Sequence, residues 1–395
     1  MYKVTGIDVK NNRYKVLDIS SNIESICTKE QLLQSRNMGF KVLGVLSDSQ
    51  VVIWDTFYKL SLLSDNGKKK LAEALKDYNM IAITNDDTIN KELYGNCMVL
   101  NISNRANMEK VFQGCNAASL DLRNFDMSGV TSVKGMFFDC VVKHIDLSSF
   151  DTSKVTDMRF MFSDCRVTSL DLSSFDTFNV TNMCGMFYAC GAEIIDLSSF
   201  DTSKVTNMSD MFYKSMVESL DLSNFNTSSV TNMSNMFCEC MVESLDLSSF
   251  DTSKVVSMRG MFHWCKIENI DLSGLDTSNV TDMQYMFGGC MIKRLNLGSF
   301  DTSKVTNMGY MFSRCETESL DLRSFDTSKV TDMSEMFRGC KIERVDLRSF
   351  DTSKVNDMNE MFADYSGKEI ILGKNQKMLI NQAKKDGQGD KLCIR

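Results

Sequence analysis

The stretch from Leu320 to Cys340, LDLRSFDTSKVTDMSEMFRGC, decides how this chain is read, because it recurs with few changes every 25 residues. Its Met-Phe pair falls at Met136-Phe137, Met161-Phe162, Met186-Phe187, Met211-Phe212, Met236-Phe237, Met261-Phe262, Met286-Phe287, Met311-Phe312, Met336-Phe337 and Met361-Phe362, with Val111-Phe112 as a degenerate first copy. A second Phe recurs from Phe125 to Phe350 and is replaced once, by Leu275. Cys recurs from Cys115 to Cys340, with Ser215 in the one gap. About ten units in unbroken register identify a repeat protein, in which each unit buries its apolar side only against its neighbours.

Within one unit, Val142 to Arg166, the apolar residues Val142, Ile145, Leu147 and Phe150 follow an L-x-x-L-x-L-x-x spacing. The alternation at Ile145 and Leu147 predicts a short strand. After Asp151-Thr152-Ser153, residue types that close turns and cap helix starts, the spacing changes to Val155, Met158, Met161, Phe162 and Cys165. Steps of mostly three or four predict one side of a short helix. The expected fold class is therefore an α/β repeat solenoid of leucine-rich-repeat type, with a parallel strand ladder on one side and short helices on the other. At about 4.8 Å per strand, ten rungs span roughly 45 Å.

The Leu320–Cys340 string and its copies resemble the BspA-like leucine-rich repeat found in many bacterial surface proteins and lipoproteins. The resemblance covers roughly residues 105 to 365. It implies a non-enzymatic solenoid that binds macromolecules, often as an adhesin at the cell surface.

The expected domains are 1–95, a small α+β N-terminal cap; 96–365, the solenoid; and 366–395, a last rung and a capping helix. In the first, Tyr2–Val9 and Arg13–Ser20 read as a hairpin around Asn11-Asn12. Thr28 and Gln31 form a capping box opening a helix to Gly39, 40–46 and 51–54 read as strands, and 68–78 as a helix. Met98–Ser103 reads as a strand joined to the solenoid. Ile370–Leu372 is the expected last rung and 375–385 its capping helix.

Composition narrows the function. The 395 residues include no proline, 14 Cys, 29 Met, 25 Phe and a net charge of -8. Average usage would supply roughly 20 prolines, so turns here fall to Gly, Asn, Asp and Ser. Twenty of the Met and twenty of the Phe occupy two repeat positions each, and nine Cys form one ladder. No run approaches the roughly 20 apolar residues of a membrane span, and no secretory signal is readable, so the expected location is cytoplasmic with reduced thiols. The family resemblance implies the cell surface instead. Residues 101–365 carry a net charge of -13. Direct nucleic-acid binding, which needs a basic surface, is disfavoured.

No phosphate-binding loop, dinucleotide fingerprint or nucleophile elbow appears. The Cys ladder lies beside Met and Phe as small buried hydrophobes, and with one Cys per unit and only His144 and His263 it supplies no four-ligand zinc site. No cofactor, metal or catalytic residue is expected. Candidate binding residues come instead from columns. The strand column Asp146, Asp171, Asp196, Asp221, Asp246 and Asp271 reads first as a structural element, with attraction of a basic protein as its electrostatic consequence. Arg294, Arg323, Arg344 and Arg348 mark the last units, and Phe160, Tyr188, Tyr213, Trp264, Tyr285 and Tyr310 stand where other units are mostly small or polar. Arg and aromatic residues are common interface anchors. The expectation is a non-catalytic protein-binding solenoid, with inhibition of a nucleic-acid-binding protein as a narrower reading and a surface adhesin as the alternative.

Overall fold

A computed structural model describes residues 106–395, except 123, 124 and 126, and, before them, the backbone of seven strands. The repeat winds as a parallel β-solenoid. Its most regular thread is a ladder of single parallel bridges from Asn107 through Ser132, Asp157 and their counterparts to Asp357, one residue in each of eleven turns. The strands are β1 Tyr2–Asp8, β2 Arg13–Asp18, β3 Ile23–Thr28, β4 Val45–Leu46, β5 Gln50–Val51, β6 Met80–Ile83, β7 Asn96–Asn101, β8 Asn116–Asp121, β9 Val141–Asp146, β10 Ser169–Leu170, β11 Ile194–Ile195, β12 Arg294–Leu295, β13 Ser319–Leu320, β14 Arg344–Asp346, β15 Glu369–Leu372 and β16 Leu392–Ile394, of which β7 to β15 follow the expected strand positions as a second, interrupted parallel ladder. β6 to β9 form one parallel sheet, so the coil's strand side reaches back to residue 80. β1, β2 and β3 form an antiparallel sheet of their own. The helix expected to open at Thr28 falls on residues 29–39, which with 68–78 lie outside the described residues, and Thr28 itself ends β3.

The short helix expected in every unit does not form. Between Met158 and Cys165 the chain makes overlapping turns, with Phe160 and Asp164 both in the left-handed region at φ 55°. Alternate amides are used differently. Met158, Phe160, Phe162 and Asp164 donate to carbonyls one turn on, at Asn182, Cys184, Met186 and Tyr188 (2.7–3.1 Å), whereas Met161, Ser163 and Cys165 donate back to Met158, Phe160 and Phe162. A helix of about eight residues would leave its first four amides, Met158 and Phe160 among them, without an internal acceptor, and it cannot pay for its own nucleation. Stacking satisfies them in the neighbouring turn instead. The leucine-rich-repeat detail with helices on the second side is thereby corrected: among the described residues the one α-helix is α1, Lys377–Lys385, at the C-terminal end.

The apolar repeat positions all point inward. Eleven Phe rings from Phe112 to Phe362 stack along the axis, successive centroids 5.3–6.0 Å apart. The Cys ladder runs beside them, buried. A buried Thr column adds the polar register: Thr177 Oγ1 donates to the Asp201 carbonyl (2.9 Å) and accepts the Asp201 N–H (2.8 Å), and Thr152, Thr202, Thr302 and Thr327 repeat the exchange. This closes a buried hydroxyl into the backbone ladder with no orphaned group.

The C-terminal end is capped. α1 buries Leu379 and Ala383, and β16 returns to pair with β15, a further rung that the sequence reading did not include. Gln376 Nε2 donates to the Leu347 and Phe350 carbonyls (both 2.8 Å), and Asp386 accepts the Phe362 N–H (2.9 Å). These side chains occupy main-chain groups that a further turn would otherwise have taken.

Candidate interaction faces

Each turn offers two variable sides, separated by the buried Cys position. On the strand side, the Asp column forms a series of tight turns. Asp171, Asp196, Asp221, Asp246 and Asp271 each accept the backbone N–H two residues on, from Ser173, Ser198, Ser223, Ser248 and Ser273 (2.9–3.0 Å). Asp146 does the same for Ser148. The hydroxyl and amide bonds from these serines hold the five carboxyls below the usual carboxylate range. They are ionised and exposed at neutral pH. The structural role and the charge therefore coexist.

The four arginines are placed along the same side but are mostly engaged. Arg323 pairs with Asp321 (2.7 Å), Arg348 with Asp346 (2.7 Å) and Arg344 with Glu369 (2.9 Å), while Arg294 is exposed without an ion pair among the described residues. Arg323 pulls the Asp321 carboxyl down to about 2. Three lysines also form ion pairs between turns: Lys293 with Glu268, Lys368 with Glu343 and Lys341 with Glu316 (2.5 Å). The last rungs are thus charge-balanced. In the middle rungs no such partner faces Glu193, Glu218, Glu243, Asp196, Asp221, Asp246 or Asp271 among the described residues.

The aromatic candidates lie on the turn side, in three columns. Tyr188 stacks on Tyr213 (4.7 Å) and Tyr285 on Tyr310 (4.3 Å). Tyr213 and Tyr310 donate to Glu239 (3.1 Å) and Glu335 (2.6 Å). Phe160 and Trp264 each lie across a glycine of the next turn, Gly185 and Gly289, where a Cβ would come within 2.3 and 2.4 Å of the ring. Trp264 remains 47% exposed and is the largest apolar anchor on this side. Phe160, Trp264, Tyr285 and Tyr310 all hold positive φ, a conformation uncommon for bulky residues. The acidic and aromatic candidates do not converge on one site.

One contact went unread in the sequence. Cys238 Sγ sits 3.6 Å from His263 Nδ1, although the residues are 25 apart. Burial pushes the Cys238 thiol up to about 12 and lowers His263, so at neutral pH both are uncharged. A neutral thiol beside a neutral imidazole lacks the thiolate that nucleophilic catalysis uses. The ladder thiols are similar: burial raises Cys190 and Cys265 to about 12 and Cys240 to about 11. Among the described residues no three His, Cys, Asp or Glu side chains gather as a metal site, and no helix is long and apolar enough to cross a membrane.

No curated protein matches the chain. A family model described as "Mycoplasma protein of unknown function, DUF285" matches residues 106–216, 191–294 and 265–372. The three matches overlap and together take in the repeat coil, more than half of the sequence; the chain belongs to that family.

Proposed function

We propose that this chain is a non-catalytic protein-recognition solenoid whose acidic strand side attracts a basic protein. The observation that supports the reading is the exposed Asp column, held ionised by its own serine bonds along successive turns. A fixed row of like charge raises the encounter rate with a cationic surface and favours one orientation of approach. The aromatic turn side, with Trp264 exposed, provides a second set of anchors of the kind that carry interface energy. Occlusion of the basic channel of a nucleic-acid-binding protein is one form that this recognition can take.

Affinity capture of partners from cell lysate on the full chain tests the reading. The expected retained proteins are basic, and they elute as salt is raised. A retained set that is acidic, or that is indifferent to salt, overturns it. Trp264→Ala and a double charge swap at Arg344 and Arg348 report whether the turn side and the last rungs take part. The adhesin reading, supported by the BspA-like resemblance, makes a different demand: the chain must be degraded when intact cells are treated with protease.

A further inference from the structure

The strand side of the middle turns carries apolar side chains where other turns carry polar ones. Ile194 is 69% exposed at a position held by Ser169, Ser219, Ser244 and Ser319 in other units. Met216 is 48% exposed, and Met241 follows it one turn on, in a column that holds Arg166, Lys266 and Lys341 elsewhere. Backbone bonds tie these turns together on this side: Met216 N–H donates to the Cys190 carbonyl and Glu218 N–H to that of Glu193. Ile194 therefore stands between the unpaired column Glu193, Glu218 and Glu243 and the column Asp196, Asp221, Asp246 and Asp271, while Met216 and Met241 lie on the other side of the Glu column, in line with Arg166 and Lys266.

The same turns show a weakened ladder. Named strands stop at β11 and resume at β12; between them this column holds only the isolated bridge Ser244–Asn269. Leu220 and Ile270 are only partly buried, whereas Leu245 between them, and Leu170, Ile195, Leu295 and Leu320 at the same repeat position, are buried. Like charges directly opposite each other on adjacent strands are destabilising. Elsewhere on this side Lys293 stands beside Glu268 and Arg344 beside Glu369. The fold thus accepts a cation at these positions, and the middle turns lack one.

Resting on the proposed recognition role, we infer that this unpartnered patch around Ile194, Met216 and Met241 is the docking surface for a basic amphipathic α-helix of a protein partner, laid along the solenoid axis. Spacing selects the helix. Successive turns repeat at about 4.8 Å, so four carboxylates in one column span about 14.4 Å. Cations at i, i+3, i+7 and i+10 of an α-helix span about 15 Å, with an apolar stripe beside them. Four same-side residues of an extended strand would span about 20 Å and fall out of register. Met216, exposed, and Met241, half-buried, suit such a stripe because their flexible thioethers adapt to varied side chains. Cations from the partner pair with the carboxylates that have no intrachain cation.

Three synthetic peptides of about 20 residues test this on the full chain: a helical one with Lys at i, i+3, i+7 and i+10 beside a Leu stripe, one of equal composition broken by prolines, and one with Glu for Lys. The helical basic peptide is expected to bind in a salt-sensitive way, at least about tenfold more tightly than either other. Binding should fall about tenfold in E218K/E243K and severalfold in I194S. Each substitution installs a residue that other units already carry at that position, which keeps the fold intact. Amide exchange at Leu220, Leu245 and Ile270 should slow when the peptide is bound. Equal binding of the prolyl peptide, with the same loss in E218K/E243K, rejects the helix while sparing the basic-partner reading. Unchanged binding in E218K/E243K rejects the patch. Binding of no basic peptide rejects both.

Discussion

At the scale of single residues, the repeat supplies its own controls, because each position is seen in about ten neighbours. Ser215 stands in the Cys ladder with its hydroxyl buried and unpartnered. Ser215→Cys should stabilise the coil by about 1 kcal/mol, measured by chemical denaturation, since it removes an unsatisfied polar group without changing shape. Gly289 lies under the Trp264 indole at φ 64°, so Gly289→Ala both strains the backbone and displaces the ring. We expect a loss of about 1 kcal/mol or more and a red-shifted Trp264 emission, read in a Trp54→Phe background. The pairing was present in the sequence as a large residue followed 25 positions on by glycine, at Phe160 and Gly185, Trp264 and Gly289, Arg314 and Gly339. It becomes readable only when a 25-residue step is known to mean direct overlay. The Asp column was legible sooner, because Asp-x-Ser is itself a local turn device.

At the scale of the element, two threonines per unit look equivalent in sequence and are not. Thr177 is buried and exchanges two hydrogen bonds with the next turn, whereas Thr206 is exposed and donates to Thr181 at 3.2 Å. Thr177→Val should cost about 1–3 kcal/mol in a urea titration and Thr206→Val close to nothing. Equal effects would show that the buried column does not set the register. The misread helix belongs to this scale too. Val155, Met158, Met161, Phe162 and Cys165 have helical spacing, but they are inward residues of a tight coil. Periodicity reports which residues share a buried side, and a run of turns with residues in the left-handed region can satisfy the same period as a helix over so short a span. What decides between them is where the alternate amides find acceptors, and here those acceptors belong to the next turn.

At the scale of the whole molecule, the Asp carboxyls held below their ordinary value of about 3.9 stabilise the fold above that pH. The contribution disappears as pH falls through their folded values, which reach about 2 at Asp321. The melting temperature, followed by circular dichroism, should hold steady from neutral pH to about 5 and fall between about 4 and 2. A rise over that window would mean that relief of like-charge repulsion along the strand side outweighs the lost serine bonds. The sequence by itself determined that the chain is a stacked repeat from about residue 105 onward, which apolar positions share one side of each unit, and that residues 101–365 carry net negative charge. A unit copied in register must overlay itself, and the overlay puts identical side chains in columns. Only the tertiary structure decided that the second side is made of turns, that Cys238 meets His263, that the last rungs are charge-balanced and that the middle rungs are not. Those outcomes depend on contacts between successive turns, set by rise and by side-chain reach, and no single 25-residue unit contains them.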